Sequence, residues 1–353
     1  MRLLPILLAL CTPLFADDIQ RFVAIDNVCA WPNLTLMPDG SINATIFGQP
    51  SHGQMAGAAE CWNSPDGMFW TKRGIPAPNE PHTNRMNVAA GLAKNGDLLV
   101  LCSGWTDVKQ SQRPKQAAFR DDILGTWVCR SSDGGRVWSQ IKEFPAPDAG
   151  WTSYIPFGDI KPGEDGALHV SCYGGEFTDP TKSTKTKGYR SWHFRSDDDG
   201  RTWKRISVIH KTGNETTVLH LGGKRWLAAA RETAMDLFLS EDDGATWTGP
   251  TRVTQKNEIN GHLARLKDGR IILAYGNRIK TGGQLGVLAK FSSDEGRTWG
   301  EPIRIAHTQT TDCGYPSTIQ RADGRLVTAW YSGASEYHAR YHMGVAIWNA
   351  PAP

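Results

Sequence analysis

The feature that most narrows the folds open to this chain is an eight-residue phrase that recurs along it. It reads SSDGGRVW from Ser131, SDDDGRTW from Ser196, SEDDGATW from Ser240 and SSDEGRTW from Ser292, with a shortened relative, SPDGMFW, from Ser64. Each phrase has the chemistry of a hairpin turn. Ser and Asp side chains satisfy turn amides, Gly takes a backbone angle that other residues resist, and the closing Trp pins the turn to its own sheet. Short apolar runs of strand character precede the phrases, among them TWVC, MDLFL and GVLAKF.

Farther upstream in each unit stands a second signal, a turn followed by a strand: MPDGSINATIF, AKNGDLLVLCSG, GEDGALHVSCYG, LGGKRWLAAAR, LKDGRIILAYGNR and RADGRLVTAWYSG. Six units result, at about 28–75, 82–145, 150–210, 213–253, 258–305 and 311–350. Each reads as strand, turn, strand, strand, octet turn, strand. Only the last lacks a recognisable octet, as expected if its outer strand is completed near the chain ends. Long helical periodicity is absent, and 37 Gly, 20 Pro and 14 Trp fit many short strands joined by tight turns. A four-stranded sheet cannot bury both faces alone, and stacking such sheets in a ring solves that. The prediction is an all-β fold, one six-bladed β-propeller over residues 17–353, with no internal linker.

The first sixteen residues, MRLLPILLALCTPLFA, combine an early arginine, an apolar run and a small residue before DD, and read as a cleavable export signal. The expected location is therefore secreted or periplasmic, with no membrane insertion, because no later apolar run is long enough to span a bilayer. With 39 basic and 36 acidic residues and a net charge of +3, the chain has no electrostatic footprint for nucleic acid. Beyond the signal lie Cys29, Cys61, Cys102, Cys129, Cys172 and Cys313, open either to disulfide pairing or to burial as small strand residues. No Cys-x-x-Cys or Cys/His cluster appears, so no metal is expected, and no cofactor is implied.

The octets resemble the Asp boxes, or bacterial neuraminidase repeats, of the sialidase superfamily, whose members are six-bladed propellers. The resemblance covers essentially the whole mature chain and is sharper at the openings of the blades. NETTVLHLGGKRWLAAAR resembles the segment in which a glutamate opens one strand and an arginine ends the next, here Glu215 and Arg231. AYGNR puts Arg278 close to a further substrate arginine, and DCGYPST resembles the segment of the tyrosine nucleophile, here Tyr315. The chemistry accounts for these residue types. Arginines can grip a carboxylate on the anomeric carbon bidentately, and a tyrosine activated by a glutamate attacks as a nearly neutral group where an anion would be repelled.

Two positions depart from the family pattern. Where an arginine opens blade one, this chain has AWPNL, with Trp31 and Pro32, and the missing cation is expected from Arg85 in TNRMN. The loop that carries the acid/base aspartate reads GQPSHGQMAGAAEC, which offers His52 and Glu60. A second alignment, with blade two as the family's first, would give the acid role to Asp121 or Asp122. Tyr154 and His262 open blades three and five and are candidates for sugar contacts or for axial packing. Trp31 and Trp151 are candidates for stacking platforms or for core.

Each candidate also has a bland reading. Arg231 has Glu232 and Asp236 nearby as pairing partners, Asp121 and Asp122 make a solvated turn pair, and His52 decorates a surface loop. The function expected is an exo-glycoside hydrolase acting on a terminal, acidic, sialic acid-like sugar of a glycan. The alternatives are a lyase for uronic-acid glycans and a non-catalytic glycan-binding propeller.

Overall fold

The computed structural model describes residues 19–53, 56–106, 122–178, 186–283 and 285–352. The proposed leader and Asp121 lie outside the described residues. Strand β1 (Gln20–Asp26) precedes blade one, which holds β2 (Cys29–Leu36), β3 (Ile42–Phe47), β4 (Ala59–Ser64) and β5 (Thr71–Ala77). Blade two holds β6 (Asn87–Leu92), β7 (Leu98–Thr106), β8 (Asp122–Ser131) and β9 (Ser139–Ile141). Blade three holds β10 (Ile155–Pro162), β11 (Leu168–Phe177), β12 (Thr186–Ser196) and β13 (Lys204–His210). Blade four holds β14 (Thr216–Gly222), β15 (Arg225–Arg231), β16 (Met235–Ser240) and β17 (Thr248–Arg252). Blade five holds β18 (Glu258–Arg265), β19 (Ile271–Asn277), β20 (Gly286–Ser292) and β21 (Ile303–His307). Blade six holds β22 (Cys313–Gln320), β23 (Leu326–Ser332) and β24 (His342–Trp348).

Blade six has no outer strand of its own at the C-terminus. Strand β1 supplies it, pairing antiparallel with β24 from Gln20 opposite Ile347 to Asp26 opposite His342. The missing last octet is thereby explained, and the two ends of the chain are tied together. The innermost strands β2, β6, β10, β14, β18 and β22 pack side by side in that order, and β22 returns to β2. Blades two and three are joined further by a parallel pairing of Gly158, Asp159 and Ile160 with Ala89, Ala90 and Gly91. The fold is the expected six-bladed β-propeller, with blades where the repeats put them.

The core lies between blades. Leu99, Leu101 and Val128 of blade two meet Val170, Trp192 and Phe194 of blade three. Ile42, Ala44 and Ile46 of blade one meet Val327, Val345 and Ile347 of blade six. Each such buried aliphatic side chain contributes ~1.5–3 kcal/mol. The octet turns work as anticipated: in SDDDGRTW, Ser196 Oγ accepts from Gly200 N at 2.8 Å, Asp198 accepts from the Arg201 and Thr202 amides, and Trp203 Nε1 donates to Gly200 O. Gly200 has φ +81°, which other residues adopt only under strain, and a Cβ there would lie 2.4 Å from the end of the Leu99 side chain, which would have to shift. The six described cysteines are all buried and free, which decides for burial over pairing. Among the described residues no helix is long and apolar enough to cross a membrane.

The innermost strands of blades one, three, five and six each break register near their start. The shifts fall between Cys29 and Asn33, Phe157 and Lys161, Ile259 and His262, and Gly314 and Ser317. Each break contains a left-handed residue: Trp31 (φ 55°), Gly158 (φ 77°), Asn260 (φ 61°) and Tyr315 (φ 51°). A bulge of this kind re-aims a side chain, and a bulky residue held there costs ~1–3 kcal/mol, sustained only by the surrounding packing. Trp31 and Tyr315 carry that strain at the mouth of the ring.

Candidate active site

A cleft of about 530 Å³ opens at the end of the ring where the innermost strands begin. Glu215, Arg231, Arg278 and Tyr315, drawn from blades four, five and six, line it together with His52, Trp31 and Asp122. Tyr315 is almost wholly buried, and its hydroxyl donates to Glu215 Oε1 at 2.7 Å. Arg231 Nη1 donates to the Tyr315 oxygen at 3.1 Å and also to Glu215 Oε2. Asn260, the left-handed residue of blade five, donates from Nδ2 to the same Glu215 oxygen at 2.8 Å. Glu215 is therefore held at both oxygens, one of which faces the phenol.

Burial pushes the Tyr315 phenol up to about 12, the charge of Glu215 adds to that push, and Arg231 and Arg278 oppose it. The phenol stays protonated at neutral pH, and Glu215 Oε1 is the acceptor placed to receive its proton. For Arg231, burial works against the charged form, but the charges of Glu215 and Tyr315 outweigh it and hold the guanidinium above the usual arginine range. Its Nε is buried without a hydrogen-bond partner. Arg278 places its guanidinium 5.4 Å from the centre of the Tyr315 ring and is fixed by two bonds to Cys313 O, from Nε at 3.1 Å and Nη2 at 2.9 Å. Two cations thus flank one phenol.

Much of the remaining lining is aromatic. Trp31 lies 5.3 Å from the Tyr315 ring and edge-on to His52 at 5.7 Å. Trp105 stacks against His52 at 6.4 Å, and Tyr173 and Tyr189 continue the lining. Cations and aromatic rings in one cleft suit a ligand that combines a carboxylate with an apolar ring face.

Several expected residues lie elsewhere. Arg85 does not reach the cleft: it is 4% exposed, stacks on Trp127 at 3.8 Å and binds Gly125 O and Glu80 Oε2. It is a structural residue of blade two, and Trp31 stands where the third cation was sought. Tyr154 turns into the packing between blades two and three, against Phe194 and Trp192, with its hydroxyl accepting from Arg205. His262 does face the axis, but below the cleft, where Asp159 Oδ2 holds its Nε2 at 3.0 Å. Lys161 and Asn33 also bind Asp159.

Trp151 packs edge-on to Trp192, under Arg190 and away from the cleft. Arg231 pairs with Glu215 and not with Glu232 or Asp236; Asp236 is taken by Arg252. Glu60 binds Lys72 and the Trp62 indole.

Asn260, Asp312 and Trp105 were missed in the sequence. Asp312 sits just before Tyr315 in TDCGYPST and accepts from His52 Nδ1 and from the Tyr331 and Tyr341 hydroxyls. Its nearness to Tyr315 was the available signal. Asn260 gave none, because only the shared bulge aligns it with Trp31 and Tyr315. Among the described residues no group of three or more His, Cys, Asp or Glu side chains is arranged to hold a metal ion.

Residues 59–328 match the BNR repeat-like domain family. The chain is 21% identical over 345 residues, 88% of its length, to a sialidase of Micromonospora viridifaciens, of which it spans about half, 51%. A protein of unknown function from Dyadobacter fermentans has a similar structure, with a TM-score of 0.77 at 21% identity over 95% of this chain and 100% of that one. The sialidase of Trypanosoma rangeli, solved with 2,3-difluorosialic acid as a covalent intermediate, is similar with a TM-score of 0.68 at 14% identity over 93% of this chain and 58% of that one. These structural likenesses speak to the fold, and the repeat match speaks to the family. The chain belongs to the BNR repeat-like domain family.

Proposed function

We propose that the protein is an exo-glycoside hydrolase that removes a terminal acidic, sialic acid-like sugar from a glycan, and that it does so after export with residues 1–16 removed. The observation that carries this reading is the bond from Tyr315 to Glu215 at 2.7 Å beneath a cleft flanked by Arg231 and Arg278. Arg231 and Arg278 receive the substrate carboxylate and set the anomeric carbon over the phenol. Glu215 Oε1 takes the phenolic proton as the Tyr315 oxygen bonds to that carbon and the glycosidic C–O bond breaks. The departing oxygen takes a proton from an acid on the cleft wall. Water then attacks the same carbon, gives a proton to that wall group, and Tyr315 leaves and recovers its proton from Glu215.

The test is release of free sugar from a panel of sialosides and uronic-acid glycosides, measured for the wild type and Tyr315→Phe. The expected outcome is turnover that the variant loses by ~10³-fold or more. Undiminished turnover in the variant removes Tyr315 as nucleophile. An unsaturated product absorbing in the ultraviolet would identify a lyase, and affinity without turnover a binding propeller.

A further inference from the structure

A second constellation shares the cleft with Tyr315. His52 stands on the turn that follows β3, and its ring lines the cavity with its side chain 21% exposed. Its Nδ1 lies 3.0 Å from Asp312 Oδ1 and 3.3 Å from the Tyr331 hydroxyl. Asp312 also accepts from Tyr331 and Tyr341. Burial alone would raise the Asp312 pKa, but the hydrogen bonds from His52, Tyr331 and Tyr341 outweigh it and hold the group well below the usual carboxylate range. An ionised carboxylate only accepts, so the hydrogen between the two belongs to His52 Nδ1.

The ring plane is fixed as well. Trp105 is nearly parallel to it at 14°, while Trp31 and Tyr331 meet it edge-on at 89° and 73°. With Nδ1 committed to Asp312, Nε2 is the nitrogen left to serve a ligand in the cleft.

We infer that Asp312 is a positioning residue that keeps the proton on His52 Nδ1, and that His52 Nε2 is the acid and base of the reaction. This rests on the hydrolase reading above. In the first step the His52 imidazolium, charge-compensated by Asp312, gives its Nε2 proton to the departing glycosidic oxygen. The neutral ring that remains, protonated at Nδ1, takes a proton at Nε2 from the attacking water in the second step. The proton count closes over the cycle, and no further reactant is needed. A carboxylate is thereby unnecessary in this role, and Asp122, which also lines the cleft, is the competing acid that the variants test.

The experiment pairs a leaving group that needs protonation with one that does not. Kinetics are measured on sialyllactose and on 4-methylumbelliferyl sialoside for the wild type, His52→Ala, Asp312→Asn and Asp122→Asn. His52→Ala is expected to lower kcat on sialyllactose ~100-fold or more and on the aryl sialoside less than ~10-fold. Asp312→Asn should show the same split at about 10-fold, with KM unchanged. Equal losses on both substrates, or the split in Asp122→Asn alone, overturn the assignment while leaving the hydrolase reading intact.

A wild type inert on both probes overturns the hydrolase reading and the proton-transfer role with it. The tautomer is read separately by long-range proton–nitrogen NMR of the histidine rings, with His52 assigned from the His52→Ala spectrum. The neutral ring should carry its hydrogen on Nδ1, and Asp312→Asn should shift it towards Nε2. A wild-type ring protonated at Nε2 removes Asp312 from its positioning role whatever the kinetics give.

Discussion

Tyr315 donates its phenolic hydrogen to Glu215 Oε1 across 2.7 Å, although the two residues are 100 positions apart in the chain. The contact spans blades four and six, so it exists only when the ring is closed. Because the charge of Glu215 helps to hold the Tyr315 phenol up at about 12, Glu215→Gln should lower the pH at which that phenol ionises. Ultraviolet difference titration against Tyr315→Phe isolates the signal. The same substitution should reduce kcat by ~10²–10⁴-fold, since in the proposed mechanism it removes the base. A phenol that titrates unchanged in the glutamine variant would mean that the two groups do not communicate.

Arg278 is anchored by a fork of two bonds to Cys313 O, which a lysine cannot reproduce. Arg278→Lys should raise KM for an acidic sugar by about 10-fold, equivalent to ~1.4 kcal/mol, with a smaller change in kcat. Steady-state kinetics decide it, and an unchanged KM would take Arg278 out of substrate binding.

Gly314 precedes Tyr315 at φ +101°, and a Cβ there would come within 3.0 Å of Gly276 Cα on the neighbouring blade. Backbone cannot yield as a side chain end does. Gly314→Ala should destabilise the fold by ~1–3 kcal/mol and lower kcat by displacing Tyr315. Urea unfolding and kinetics on the same preparation check both parts; wild-type stability would show that the two strands have room to separate.

His169 and His193 form a stacked, buried pair, with Nδ1 of the first 3.0 Å from Nε2 of the second and His193 Nδ1 donating to Gly244 O. Burial pushes both down, His169 to about 3, with the neighbouring His193 and Arg195 adding to the effect, and His193 to about 4. Their folded pKa values lie below the ordinary imidazole value of about 6.5. The stability that the neutral pair contributes is therefore complete above that value and is lost as pH falls towards 4. Each group adds at most ~1.4 kcal/mol per pH unit. His169→Gln, which keeps a donor, should reduce the slope of unfolding free energy between pH 6 and 4; equal slopes would contradict the assignment.

The octet turns were legible because their chemistry is local. Ser196, Asp198, Gly200 and Trp203 satisfy one another within eight residues, so the phrase itself announces the hairpin, and its repetition announces the blades. Glu215, Arg231, Arg278 and Tyr315 were legible for a different reason. Each stands at a strand end next to a recognisable turn, and the resemblance supplied their order.

Arg85 and Tyr154 also stand at strand openings, yet Arg85 packs on Trp127 within its own blade and Tyr154 turns into the packing between blades two and three. Strand β6, which follows Arg85, has no bulge of the kind that re-aims Trp31 and Tyr315, and in β10 the left-handed residue is Gly158, four positions beyond Tyr154, so neither side chain is the one re-aimed. What the chain order alone determined was the number and placement of the sheets, because strand, turn and apolar alternation are properties of neighbours. Which side chains meet over the cleft was decided by tertiary structure, through left-handed kinks at four strand starts and a ring closed by β22 against β2. Those are long-range steric outcomes. A residue such as Asn260 or Asp312 has its place written only in what surrounds it.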